Sequence, residues 1–378
     1  MPVIVVAPDS YKGSLSAQAV ACAMEAGIRR ALPDVAIHRF PMADGGEGTV
    51  DAVLAARSGE VRQAEVADAL LGRREARFAL LEHEGRRSAV IEVAGIVGLP
   101  DAPGVVAQRS SRGVGELLRH CLDLGIRQVM VGLGGSSTSD GGAGVLAALG
   151  VRLLDAGGGE IAPTLAGLER LDQLDFSGLD PRLAGCDIIL LADVDNPLCG
   201  EHGTTTVFGP QKGVAAADVG RYDGWIAGLA RHADSWAGQA VSTMPGAGAA
   251  GGIGYALRLL GARMESGAAM ICQLQDIDSA IRAADWVLTG EGRSDAQTLR
   301  GKAPYEVARR AHAAGKPVSL LSGAVRPADL ALLAPHFSGC FSIIPEPMAL
   351  EDAIEHAEVL AANAAEQLAR LRFSALHF

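Results

Sequence analysis

The chain predicts an α/β fold of two domains, a discontinuous outer three-layer α/β domain with a second α/β domain inserted into it. Three observations predict this. Short β-branched runs alternate with helical stretches at both ends of the chain, the pattern of a parallel sheet covered by helices. The middle changes texture, with three strand-like runs in succession. The composition is 49% apolar but only 4% aromatic, with 48 glycines in 378 residues, so the core is aliphatic and the turns are glycine-built.

Residues 3–7 read as the first strand. Ser16 reads as the N-cap of a helix running to about residue 32, where Pro33 and Asp34 stop it. A strand at 35–40, a polar loop and a helix at 49–57 complete the opening. Strands at 61–66, 75–81 and 87–93, the last two joined through His83-Glu84-Gly85, mark a domain boundary near residue 60. Alternation resumes with a helix at 114–124, a strand at 128–133 and a helix at 143–149. A hairpin around 155–160, a strand at 187–192 and helices around 215–236 and 254–260 follow. The last stretch predicts strands at 286–289, 318–322 and 341–344, separated by helices at 305–314 and 328–333, and a closing helix over 351–371. The outer domain is expected to take residues 1–60 and 285–378, the inserted one 61–284.

Thirty-three basic against 44 acidic residues leave a net charge of −11, which argues against nucleic acid as a partner. Six cysteines carry no CxxC pair and read as free thiols of a reducing compartment. The opening lacks the basic and apolar regions of a signal peptide, and no apolar run is long enough to span a bilayer. The expected location is the cytoplasm, with no membrane partner.

Ligands of open α/β sheets sit at loops leaving the carboxyl ends of strands, and five such loops are polar. The first, Asp9-Ser10-Tyr11-Lys12-Gly13-Ser14, offers a cation and hydroxyls before a helix, an anion site or a capped helix with an exposed lysine. The second, Asp44-Gly45-Gly46-Glu47-Gly48, frees backbone N–H groups for an oxyanion; its acids suit Mg²⁺ or a hydroxyl substrate, or else a solvated turn. The third runs from Gly132 to Gly144 through Gly134, Gly135, Ser136, Ser137 and Asp140, longer than a plain connection and built like a phosphate cradle. The fourth places Asp193 and Asp195 after a strand as oxygen ligands for Mg²⁺ or as a polar turn, with Lys212 in a Gly/Pro-defined turn beyond. The fifth carries Glu291, Arg293, Ser294 and Asp295, then Lys302 before a proline-started helix.

Other signals are set aside. Gly246-Ala-Gly248-Ala-Ala-Gly251 matches a dinucleotide pattern, but no clean strand precedes it. The nine histidines lack HxH or HExxH spacing, so zinc is not expected. Neither GxxxxGK[ST] nor GxSxG occurs, which disfavours P-loop ATPases and common hydrolases.

Taken in order, the strings APDSYKGSLSA, ADGGEGT, GLGGSSTSDGGAGVLAALG, LDPRL, DVDNPLCG, FGPQKG, PGAGAAGGIG and TGEGRSDAQTLRGKAP resemble those of the bacterial type I glycerate kinase family. They depart from it at Ser110–Gly115, at Ala192 and at Ser294. The resemblance implies an ATP-dependent kinase that phosphorylates D-glycerate with Mg²⁺, commonly at the 2-hydroxyl, from a site in an interdomain cleft. On that expectation Lys12, Asp44, Asp140 and Asp193 are the catalytic candidates. Mg²⁺ falls to Asp193, Asp195, Glu291 and Asp295. Substrate and nucleotide fall to Ser10, Ser14, Gly45, Gly46, Glu47, Gly134, Gly135, Ser136, Ser137, Lys212, Arg293 and Lys302. Two other readings stay open: a kinase of the galactokinase, homoserine kinase and mevalonate kinase group, and a non-catalytic sensor of a sugar-acid phosphate. The oligomeric state also stays open, a dimer among the options.

Overall fold

The structure, a computed structural model, describes residues 1–83, 86–99 and 104–373. The turn expected at His83-Glu84-Gly85 lies partly outside the described residues. The chain divides into two compact units, one of residues 1–44, 51–57 and 266–378, the other of 45–50 and 58–265.

The discontinuous unit holds a five-stranded sheet in the order Cys340–Ser342, Val318–Ser322, Trp286–Gly290, Val3–Pro8, Ala36–Arg39, parallel throughout. Its central strands are buried at nearly every position, as cover on both faces requires, and are built mainly from aliphatic residues. Ile4, Val6, Trp286, Leu288 and Leu321 pack beneath the helices Ala17–Ala31 and Ala357–Phe373. Ser16 caps the first of these, its hydroxyl accepting from the Ala19 N–H at 3.2 Å. The alternate strand positions face the helix Ala303–Ala313, giving three layers. Pro304 sits in that helix's first turn, where its missing N–H costs nothing.

The inserted unit holds a mixed six-stranded sheet in the order Arg263–Glu265, Asp187–Leu191, Gln128–Gly132, Arg86–Glu92, Arg73–His83, Gly59–Ala67. The first four strands are parallel and the last two join antiparallel. The helix Arg112–Asp123 lies against Ala143–Ala148; a Cβ at Gly115 would meet the Ala148 Cβ at 2.7 Å, so glycine sets that approach. The expected hairpin around 155–160 is a turn in which the Asp155 and Gly159 backbones pair.

Two boundaries differ from expectation. The helices Gly267–Leu274 and Ile277–Ala283, assigned above to the inserted domain, group with the discontinuous unit. Arg310 Nη1 holds Asp278 Oδ2 at 2.6 Å, and Gln275 Nε2 donates to the Pro41 carbonyl at 2.7 Å. The strand just before them, Arg263–Glu265, belongs to the inserted unit's sheet, so no strand of the discontinuous unit signals the return. The single closing helix expected over 351–371 is two, Leu350–Glu355 and Ala357–Phe373. No described helix is long and apolar enough to cross a membrane.

Candidate active site

In the discontinuous unit the polar loops meet where the parallel strands end. The Asp9 N–H donates to the Gly290 carbonyl at 2.8 Å and the Gly292 N–H to the Ser10 carbonyl at 3.2 Å. A side chain at Gly292 would press on the Lys12 backbone nitrogen, which explains glycine there.

This convergence gathers carboxylates. Burial drives the Asp9 carboxyl well above the usual range, and the charges of Asp44 and Glu291 push the same way, against the Ser10 N–H and Lys302. Glu291 is buried and its carboxyl is also raised, chiefly by burial, with Lys302 opposing. Its Oε1 accepts from Ser294 Oγ at 3.1 Å and Thr298 Oγ1 at 2.6 Å, while Oε2 accepts from Lys302 Nζ at 3.0 Å. Burial works most strongly against the Lys302 ammonium, yet the charge and hydrogen bond of Glu291, with the charges of Asp44 and Asp295, together outweigh it and raise its proton affinity. Glu291, expected as a metal ligand, is therefore committed to three protein donors. Asp295, also expected on the metal, accepts from the Gln297 N–H at 2.8 Å and closes a local turn.

The remaining candidates of this unit sort by exposure. Lys12 and Arg293 are exposed, and Ser10 and Asp44 are half-buried. Ser14 donates its hydroxyl to the Ile354 carbonyl at 3.0 Å.

The inserted unit presses two glycine runs together. The Gly134 N–H donates to the Gly45 carbonyl at 2.9 Å, and a Cβ at Gly134 would lie 2.5 Å from Gly46 Cα. These glycines serve backbone packing at least as directly as anion binding. Gly135 takes a left-handed φ of 74° and accepts from the Leu99 N–H. Glu47 is exposed. Both the N–H and the hydroxyl of Ser137 donate to the Val97 carbonyl at 2.8 Å, which binds that hydroxyl to the fold.

Asp140 is not free to take a substrate proton, contrary to its expected role. It is fully buried, and Oδ2 accepts from the Ser111 N–H, the Ser111 hydroxyl and the Gly144 N–H at 2.7, 2.8 and 3.0 Å. Oδ1 accepts from the Gly142 N–H at 3.2 Å. Burial raises its proton affinity while these donors oppose the shift. Asp140 organises the loop.

Lys212 is buried, and its ammonium donates to Ser136 Oγ at 3.0 Å and to the Thr138 carbonyl at 2.7 Å. Burial pushes it down to about 7, with Asp140 opposing and Arg109 adding. Arg109 braces both loops, Nη1 donating to the carbonyls of Ser137 and Lys212 at 3.2 and 3.1 Å. The strand before Asp193 stops at Leu191; Asp193 is half-buried and Asp195 exposed. Among the described residues no group of three or more His, Cys, Asp or Glu is placed to hold a metal ion.

The candidate site residues read from the sequence leave out Asp9 and Arg109. An acid one residue past the first strand was a signal for Asp9; nothing local marks Arg109 as buried.

A model of the glycerate kinase family matches residues 4–372. The chain belongs to the glycerate kinase family. It is 39% identical over 373 residues to a glycerate kinase of Halalkalibacterium halodurans, covering 98% of each chain. It is 40% identical over 359 residues to the glycerate 2-kinase of Escherichia coli K12, covering 94% of this chain and 93% of that one. A crystal structure of a candidate glycerate kinase 2 from Salmonella typhimurium LT2 superposes with a TM-score of 0.83 at 40% identity over 100% of both chains. The family resemblance of the eight loop strings and the two-domain α/β class both stand on these matches.

Proposed function

We propose that this glycerate kinase family member transfers the γ-phosphoryl group of ATP to the 2-hydroxyl of D-glycerate, releasing 2-phosphoglycerate and ADP. The observation that carries the reading is its near-complete two-way match to a glycerate 2-kinase at 40% identity. Nothing in the comparisons points to the other kinase group or to a sensor. ATP as cosubstrate puts the reaction in the cytoplasm.

The site supports particular roles. Phosphoryl transfer asks for alignment and charge compensation more than for covalent chemistry. Lys12, exposed and without a hydrogen bond among the described residues, is the cation to meet the transferring group, with Ser10 and Arg293 on neighbouring loops. As the substrate oxygen attacks phosphorus and the bond to the β-phosphate breaks, the hydroxyl proton needs an acceptor. The Asp9–Asp44 pair suits that task, because a carboxyl raised by burial and a like charge holds a proton closer to neutral pH.

The donor set fits Mg²⁺, which takes one or two carboxylates and completes its shell with water and phosphate oxygens rather than a protein cage. Asp193 is the carboxylate to hold it, with Glu291 and Asp295 withdrawn by their protein donors. Bound with the nucleotide, the ion would neutralise phosphate charge.

Incubation with ATP, Mg²⁺ and D-glycerate should release ADP. Coupling the product directly to enolase with no mutase present should give signal from 2-phosphoglycerate alone. ADP release without an enolase signal would move the transfer to the 3-hydroxyl, and no ADP release would end the kinase reading.

A further inference from the structure

The inserted unit hides more hydrogen-bond donors than it uses. Four hydroxyls, those of Thr138, Ser139, Thr204 and Thr205, are fully buried, and their oxygens have no hydrogen-bond partner. Leaving such groups unpaired is unfavourable, and native folds rarely do so without a ligand or water to complete them.

The segments that carry these hydroxyls border the one that carries Lys212. The Lys212 ammonium touches the Thr138 carbonyl and the Ser136 hydroxyl. A charged ammonium has three protons to place, and those two acceptors take two of them. Lys212 forms no ion pair with any described carboxylate. Thr204 and Thr205 open the helix Thr204–Phe208, which passes through helical Gly209 (φ −61°, ψ −45°) into the turn Pro210–Lys212. The segment Ala249–Gly252 closes the arrangement. A side chain at Gly251 would overlap the Thr138 carbonyl oxygen and press on Ser139 Cα, and the helix from Thr204 packs against the same segment.

The unfilled capacity is thus an ammonium proton and several hydroxyls, all able to donate. Their natural complement is a group rich in acceptors and carrying negative charge. We propose that Lys212 and the hydroxyls of Thr138, Ser139, Thr204 and Thr205 form a seat for a substrate oxyanion, either the carboxylate of glycerate or a phosphate of the nucleotide. The ligand's identity rests on the kinase reading; the seat itself does not. Burial has already lowered the proton affinity of Lys212 to about 7, with Asp140 and Arg109 the charged groups that act on it. An arriving anion raises it again, so binding at pH 8 draws a proton from solution.

The test is calorimetric titration of the full chain with D-glycerate, ADP and inorganic phosphate, each alone, in two pH 8 buffers of different ionisation enthalpy. Wild type should take up close to one proton with the ligand that fills the seat. Lys212→Met should weaken that ligand at least tenfold and abolish the uptake. Selective loss of D-glycerate assigns the seat to the carboxylate; selective loss of ADP and phosphate assigns it to the nucleotide. Thr205→Val, which removes an unpaired hydroxyl, should weaken the same ligand severalfold while Tm holds or rises. Affinities within twofold of wild type for all three ligands in both variants overturn the seat. Ligand binding lost with Lys212→Met in a protein that makes no ADP from D-glycerate would instead sink the kinase reading and keep the seat.

Discussion

Lys302 Nζ lies 3.0 Å from Glu291 Oε2, and the other oxygen of that carboxylate takes hydroxyl hydrogens from Thr298 and Ser294. Glu291 is nearly inaccessible, with 8% of its side chain exposed against 28% for Lys302. Removing one partner of such a pair strands the other charge, at a cost of about 3 kcal/mol. Lys302→Met should therefore lower the urea midpoint clearly, and Glu291→Gln with Lys302→Met should recover much of the loss. A double variant as unstable as the sum of the singles would show that the two side chains act independently.

Asp140 makes a different prediction from the one its position suggested. Asp140→Ala would leave two backbone N–H groups of the loop, the Ser111 N–H and the Ser111 hydroxyl without their acceptor. A loss of about 3 kcal/mol in stability is expected from unsatisfied buried donors. Chemical denaturation measures it. Full stability with lost turnover would restore the catalytic role.

Sequence and site compare unevenly here, for physical reasons. The parallel strands, the Ser16 cap and Pro304 were legible because each depends on neighbours within a few residues. The glycine loops were legible as loops, but not their use. Gly134 lies against Gly46 across a long stretch of chain, and spacing alone cannot distinguish backbone packing from an anion cradle. Asp140 was misread because its donors Ser111 and Gly144 come partly from a distant helix start. Arg109 and the buried threonines 204 and 205 were missed since burial of a polar side chain leaves no local pattern. The return of residues 267–283 to the discontinuous unit was missed for the same reason, as helix packing decides it.

Asp9 ties stability to pH. Its folded carboxyl holds its proton above the ordinary value of 3.8. Between that value and its folded one, the folded state binds more protons than the unfolded state, so stability falls as pH rises. Asp9→Asn keeps an oxygen for the Ser10 N–H, which Asp9 Oδ1 now accepts at 2.6 Å, and removes the like charge. The variant should melt at or above the wild-type temperature at pH 7, lose that slope above the ordinary value of 3.8, and turn over at least a hundredfold more slowly. Unchanged kcat would remove Asp9 from the proton's path.

Lys12 should matter for rate alone. Its side chain is exposed, so Lys12→Ala leaves the fold intact. Losing a charge-stabilising donor costs roughly 3–4 kcal/mol of barrier, a factor near a hundred to a thousand in kcat. A fall of less than threefold would refute the assignment.

Lys212 shifts in the opposite direction to Asp9. Its folded proton affinity is lowered from 10.5 to about 7, chiefly by burial, with Asp140 opposing and Arg109 adding to the shift. Between those values the unfolded chain carries the proton and the folded chain does not, so stability climbs with pH from about 7 to 10.5. Below about 7 both states are charged, and burial of the ammonium is most costly. Lys212→Met removes the titrating group. Without ligand it should be more stable than wild type at pH 6, and the gap should narrow steadily toward pH 10. Melting temperatures of both proteins across that range measure the gap, and a gap constant with pH would mean that Lys212 keeps its proton throughout.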